Sequence, residues 1–211
     1  MPTDETTAHI VKLGGSLLDW PDTPSRLAEI LARPGMHRPL LIVGGGPTAD
    51  IVRTWHRAHQ LSETQGHGLA LNAMGFNSGL LKTVLPKTLI VTSRTEAIAA
   101  WASGHLPVLD CAAFLAHEEP AQHLRLPHTW DATSDAIAAW VTLAWPASRL
   151  TLLKSIDLPE HTAPAQLAAA GHVDGCLADW IDRLPPTDWI NLRSATTQPT
   201  RWCPRVEPPT P

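Results

Sequence analysis

The chain has 211 residues, 44% of them hydrophobic, enough for one sizeable core. Its formal charge of -4 excludes a general attraction to nucleic acid or anionic membrane, so any phosphate site has to be local. No apolar run reaches about 18 residues, so no membrane span is expected. In chain order, HIVKLGG (9–15) predicts a buried strand running into a glycine turn. TPSRLAEILARPG has helical spacing at Leu27, Ile30 and Leu31 and a Pro-Gly stop. RPLLIVGGG is a second unbroken apolar strand ending in glycines, and PTADIVRTWHRAHQLS starts a helix with Pro47 in its first turn. ETQGHGLALNAMGFNSGLLKTVL reads as helical with glycine interruptions. KTLIVTS is a short strand, TEAIAAWAS a helix, and HLPVLDCAAFLAH a strand followed by a loop or short helix. TWDATSDAIAAWVTLAWPAS carries an apolar face at Ile137, Trp140, Val141 and Ala144. RLTLLKSID is a further buried strand, PAQLAAAGHVDG a helix stopped by Gly171, and DWINLRS a late strand.

Strands alternating with helices predict a parallel sheet covered on both faces, and unbroken apolar strands suit a doubly covered sheet. Residues 1–194 are expected to form one domain. The stretch 195–211, ATTQPTRWCPRVEPPTP, is proline-rich and reads as an extended tail. Cys111, Cys176 and Cys203 form no CxxC pair and suggest neither a disulfide framework nor a zinc site. His56 and His59 share a helix face, for which an exposed polar face is the simpler account than a metal site. The acidic N-terminus lacks the order of a signal peptide, so a cytoplasmic protein is expected.

Of sixteen basic residues twelve are Arg, and two of the four Lys, Lys12 and Lys154, sit at the ends of apolar runs. A lysine ammonium is a compact point charge suited to phosphate. In an open parallel sheet, ligands gather at the carboxyl ends of the strands. Four features fall on that edge: Gly14-Gly15-Ser16, Gly44-Gly45-Gly46, the DATSD segment, and Lys154-Ser155-Ile156-Asp157. Each glycine cluster is either a plain turn or a backbone cradle for phosphate. Neither matches the G-x-x-x-x-G-K-[ST] or GxGxxG pattern. In DATSD, one cap needs one side chain, yet Asp131, Thr133, Ser134 and Asp135 are all of capping type. Carboxylates beside a polyphosphate need an intervening cation, here Lys12, Lys154 or Mg²⁺.

Together these segments resemble the amino acid kinase family: an opening VKLGGS, a VGGG loop leading into a helix, an acid at the start of a later helix, and a nucleotide-side strand and loop in LLKSID. The resemblance spans roughly residues 8 to 193. GGGPTADIVR, HTWDATSDAIAAW and LLKSID are most similar to the short branch of kinases acting on [5-(aminomethyl)furan-3-yl]methyl phosphate, in methanopterin-type cofactor biosynthesis. The resemblance implies a three-layer αβα sandwich with a mostly parallel central sheet, ATP and Mg²⁺ as cofactors, and a homo-oligomer. It also implies an acceptor side in the N-terminal half and a nucleotide side in the C-terminal half. Longer family members carry a second catalytic lysine well after this point, whereas no lysine follows Lys154 here. Either Lys154 takes that role or the catalytic cation count is reduced.

On this reading Lys12, Asp135 and Lys154 are catalytic, with Asp135 orienting the two lysines. Gly14, Gly15, Ser16, Ser155 and Asp157 bind nucleotide phosphates. Gly44, Gly45 and Gly46 hold the acceptor phosphate, and Asp131, Thr133 and Ser134 stand beside them. Asp50 and Arg53 form either an intrahelical ion pair or contacts to the acceptor's aminomethyl and phosphate groups. Asn72 and His128 are further acceptor candidates. Trp130 either packs or walls the ring of a substrate. Other acceptors on the same fold, or a non-catalytic nucleotide-binding homologue, are the alternatives.

Overall fold

A computed structural model describes residues 7–145, 147–160 and 163–203. The opening stretch and the end of the proline-rich segment, from residue 204, lie outside the described residues. Seven strands, β1 (His9–Leu13), β2 (Pro39–Val43), β3 (Thr88–Val91), β4 (Leu106–Leu109), β5 (Arg149–Lys154), β6 (Thr187–Asn191) and β7 (Thr200–Cys203), form one sheet in the order β3-β4-β2-β1-β5-β6-β7. The pairings from β3 to β6 are parallel, and β7 joins β6 antiparallel. The helices are α1 (Thr23–Leu31), α2 (Gly46–Ala58), α3 (Glu63–Val84), α4 (Arg94–Ala102), α5 (Cys111–Glu118), α6 (Ser134–Ala144), α7 (Pro164–Ala169) and α8 (Gly175–Trp180).

The two-residue period of a strand sorts the core. Ile10, Leu40, Ile42, Leu150 and Leu152 join one apolar cluster, with Ala136, Ile137 and Trp140 of α6. Val11, Leu13, Leu41, Val43 and Leu153 join the other, with Leu27 and Ile30 of α1 and Leu81 of α3. Burying each such side chain stabilises the fold by about 1.5–3 kcal/mol. This gives the sandwich read from the sequence. By the same parity, Lys12 shares the α6 side of the sheet with Ile10, and Lys154 shares it with Leu152. Strand order reverses at β1, which pairs β2 on one edge and β5 on the other. The crevice expected at such a reversal therefore opens over the ends of these three strands.

Three elements differ from the sequence reading. The glycine-interrupted stretch forms one continuous 22-residue helix, α3. A capping box closes its start, Ser62 accepting from the Gln65 amide and the Gln65 side chain accepting from the Ser62 amide. Gly66 is needed where the helix passes His56 and Trp130, since a Cβ there would lie 2.6 Å from His56 Nδ1. The second difference lies in the expected tail. Its residues 200–203 form β7, and Arg201 reaches back to Asp188 Oδ1 at 2.6 Å while Arg149 takes Oδ2 of the same carboxylate at 2.6 Å. Trp202 meets Trp189 edge to face at 6.1 Å. Helix α8, also unexpected, follows Asp174, whose carboxylate accepts from the Leu177 amide. Among the described residues no helix is long and apolar enough to cross a membrane.

Candidate active site

The loops after β1 and β2 press together backbone to backbone. Gly14 N donates to Leu153 O and Gly44 N to Leu13 O, each at 2.9 Å, so both loops continue the sheet ladder past its last residues. A methyl group on Gly15 would overlap the Gly46 backbone, and one on Gly44 would lie 2.7 Å from Gly15 N. Gly46 itself has φ +49°, in the left-handed region that favours glycine. The glycines are thus required first by this contact between loops. Gly15→Ala is expected to cost about 2 kcal/mol or more, because backbone cannot move aside as a side chain can. Urea unfolding checks it, and a loss below about 0.5 kcal/mol contradicts the packing described.

Asn77 of α3 fixes the second loop from behind. Its Nδ2 donates to Gly44 O and Gly45 O, both at 2.8 Å, and its Oδ1 accepts from Thr48 at 2.9 Å. Sequence reasoning chose Asn72 instead. Asn72 is on the exposed side of α3 and does not line the cavity, whereas the buried Asn77 lies five residues on. An asparagine inside a helical run carried no signal of which face it would take.

At the centre stands Asp135, in the first turn of α6 and 5% exposed. Lys12 Nζ lies 2.7 Å from its Oδ1, a close ion pair without an aligned hydrogen bond. Lys154 Nζ donates to its Oδ2 at 2.5 Å and to the His172 carbonyl at 2.7 Å, and sits 5.2 Å over the Trp189 ring. Burial pushes the Asp135 carboxyl up, but the ammoniums of Lys12 and Lys154 outweigh it and hold the group at about 2. Burial lowers the pKa of Lys154, with Asp135 opposing and Lys12 adding to the fall. The site therefore keeps two cations and one anion in a desolvated pocket, ready to meet further negative charge.

The helix cap differs from the expectation. Thr133 occupies the N-cap position, yet its side chain makes no capping bond there. The cap comes from Asp174, whose Oδ2 accepts from Thr133 N at 3.1 Å, Thr133 Oγ1 at 2.7 Å and Ala136 N at 2.7 Å. Burial, and next Asp135, raise the Asp174 pKa, while these donors oppose the rise. Asp174→Ala is expected to destabilise the protein by about 2 kcal/mol, through lost caps on α6 and α8. Thermal unfolding of the variant checks this, an unchanged midpoint counting against it. Its sequence context, HVDGCL, resembles a turn, and only the aspartate before an apolar segment hinted at a cap.

A cavity of about 480 Å³ opens beside this cluster. Lys12, Ser16, Gly46, Thr133, Ser134 and Asp135 form its charged end. Leu71, Met74, Trp130 and Ile137 line its apolar part. Asp50 and Arg53 stand on its wall and form the ion pair weighed above, at 2.6 Å, with the guanidinium 5.1 Å over Trp130. Four of the acceptor candidates, Gly44, Asn72, His128 and Asp131, do not line it, and neither does Lys154. Asp131 is exposed and absent from the cavity wall, and His128 Nε2 is bound to Glu119 at 2.8 Å, away from the lining. On the far side of the cluster, Ser155 Oγ lies 3.3 Å from Ser16 Oγ, and Asp157 accepts from Asn191 at 3.1 Å. Among the described residues no group of three or more His, Cys, Asp or Glu is placed to hold a metal ion.

This sheet order with its crevice defines the amino acid kinase type of fold. Solved structures agree. The uridylate kinase from Archaeoglobus fulgidus superposes with a TM-score of 0.58 at 18% identity, over 85% of this chain and 88% of that one. The UMP kinases from Ureaplasma parvum (0.61, 12% identity, 89% of this chain and 91% of that one) and Bacillus anthracis (0.59, 12%, 90% and 88%) are similar in the same way. No family model matches the sequence, and no curated protein matches it. At these identities the likeness establishes the fold, so chemistry has to come from the site.

Proposed function

We propose that this chain is an ATP-dependent small-molecule kinase that phosphorylates a phosphate acceptor. The observation carrying the reading is the Lys12–Asp135–Lys154 cluster at the strand-order reversal. Phosphoryl transfer asks for in-line positioning and neutralisation of charge on the moving group, with little covalent chemistry from the protein. Lys12 contacts the transferring phosphoryl, and Asp135 holds both ammoniums in register. Lys154 meets the nucleotide phosphates, with Ser16, Ser155 and Asp157 along that flank. With the Gly44 amide donating to Leu13 O and the Gly44 and Gly45 carbonyls tied to Asn77, the Gly45 and Gly46 amides are what this loop offers the acceptor phosphate. An ionised phosphate acceptor needs no general base. Both Asp135 oxygens already face ammoniums, so Mg²⁺ would be held by the nucleotide phosphates and would supply charge neutralisation there.

For the acceptor we propose [5-(aminomethyl)furan-3-yl]methyl phosphate, converted to its diphosphate. A cavity with a cationic, glycine-lined end and a Trp130–Leu71–Met74 wall suits a phosphate on a flat ring. The second reading, a nucleoside monophosphate, is favoured by the uridylate kinases that share the fold. The test incubates the purified chain with Mg·ATP and each acceptor in turn. ADP release that depends on the furan phosphate supports the first reading, and release with UMP alone moves the assignment to the second. ATP binding without turnover on any acceptor makes the chain a non-catalytic homologue.

A further inference from the structure

His67 is 3% exposed and stands on the cavity wall, near Leu71 and Met74 of the same helix. Its Nδ1 lies 3.2 Å from the Thr129 carbonyl oxygen. A carbonyl only accepts, so Nδ1 carries a proton and donates it. Burial, the largest influence, lowers the pKa of this ring, so at neutral pH the imidazole is uncharged. A neutral imidazole bears one proton, which leaves Nε2 with a bare lone pair. That Nε2 is buried and has no hydrogen-bond partner. Its neighbour does not supply one: the His128 ring stacks at 5.2 Å with a 30° tilt, and His128 Nε2 is engaged by Glu119. An unpaired buried acceptor is costly and therefore uncommon in a settled interior.

We infer that His67 Nε2 is a specificity element for the acceptor: closed off in the unliganded chain, it receives a hydrogen bond from an N–H or O–H group carried on the acceptor's ring end once the ring shifts toward the cavity. The inference rests on the cavity being the acceptor site. It assigns His67 no part in the transfer itself: this ring discriminates between acceptors. A site built around a hydrogen bond rejects analogues lacking the donor, because its own polar group is then left unpaired.

The test compares kcat/KM for [5-(aminomethyl)furan-3-yl]methyl phosphate with that for the analogue carrying methyl in place of aminomethyl, using the full chain. Wild type is expected to prefer the amine by about 10- to 100-fold. His67→Phe is expected to lower that preference at least tenfold, and His67→Gln, which keeps an acceptor oxygen, to recover part of it. An unchanged preference in folded His67→Phe overturns the inference. A separate arm needs no turnover: ¹⁵N NMR of the histidine rings should show His67 Nε2 unprotonated in the free protein and shifted when the aminomethyl compound is added. A protonated Nε2, or no shift at saturating ligand, also overturns it. If wild type turns over neither compound, the kinase assignment for this acceptor fails, and the NMR arm alone decides the role of His67.

Discussion

Lys12→Ala is expected to lower kcat about a thousandfold or more while the protein stays folded. Preorganised groups aimed at developing charge contribute on this scale in acyl and phosphoryl transfer. Lys12 is 4% exposed, at the carboxyl end of a fully buried strand, so its position is set by the sheet and not by solvent. Its removal leaves Asp135 with Lys154 still bound at 2.5 Å, so the carboxylate is not stranded. That is why the kinetic loss exceeds the structural one. Lys12→Arg should not rescue it, since a planar fork cannot replace a compact ammonium in a space this tight. Acceptor-dependent ADP release, with circular dichroism as the folding control, measures the effect. Near-full turnover by a folded Lys12→Ala protein removes Lys12 from the mechanism.

Asp135→Asn is expected to damage both stability and turnover. Two ammoniums, with side chains 5% and 12% exposed, would then face each other without an anion between them. Breaking a buried pair in this way costs about 3–5 kcal/mol. The pH dependence gives a sharper check. The carboxyl titrates at about 2 in the folded protein against 3.8 ordinarily, so its folded pKa is depressed. A depressed carboxylate contributes stability in full above its unfolded pKa and loses it as pH falls through the folded value. The stability gap between wild type and Asp135→Asn should therefore hold steady from neutral pH to about 4 and narrow from there toward 2. Urea midpoints at several pH values measure this. A gap that stays constant down to pH 2 contradicts the ion-pair account.

The centre of the sheet was legible because β1, β2 and β5 are unbroken apolar runs ending in glycine or lysine, a pattern with few competing explanations. Lys12, Asp135 and Lys154 were legible for a related reason: charged residues at the ends of buried segments have few places to go. What escaped detection was set by long-range geometry. Asp174 caps a helix 41 residues away along the chain, and no local pattern records such a partner. Asn77 and His67 lie inside a helix whose glycines blurred its amphipathic period, so the inward face was not readable. Strand β7 is four residues long among prolines, and its hold on the sheet comes from Arg201 and Trp202 meeting Asp188 and Trp189. The glycine loops were found, but their tight mutual contact was invisible without coordinates.

That contact bears on how the protein moves. Because one turn's main chain leans directly on the other's, with no rotatable group between them, neither can drift while its neighbour stays still. Whatever seats itself on the second turn nudges the first, and with it the lysine two residues upstream. The gap across which a phosphoryl group would travel is then gauged by peptide geometry, a stiffer ruler than any pair of side chains.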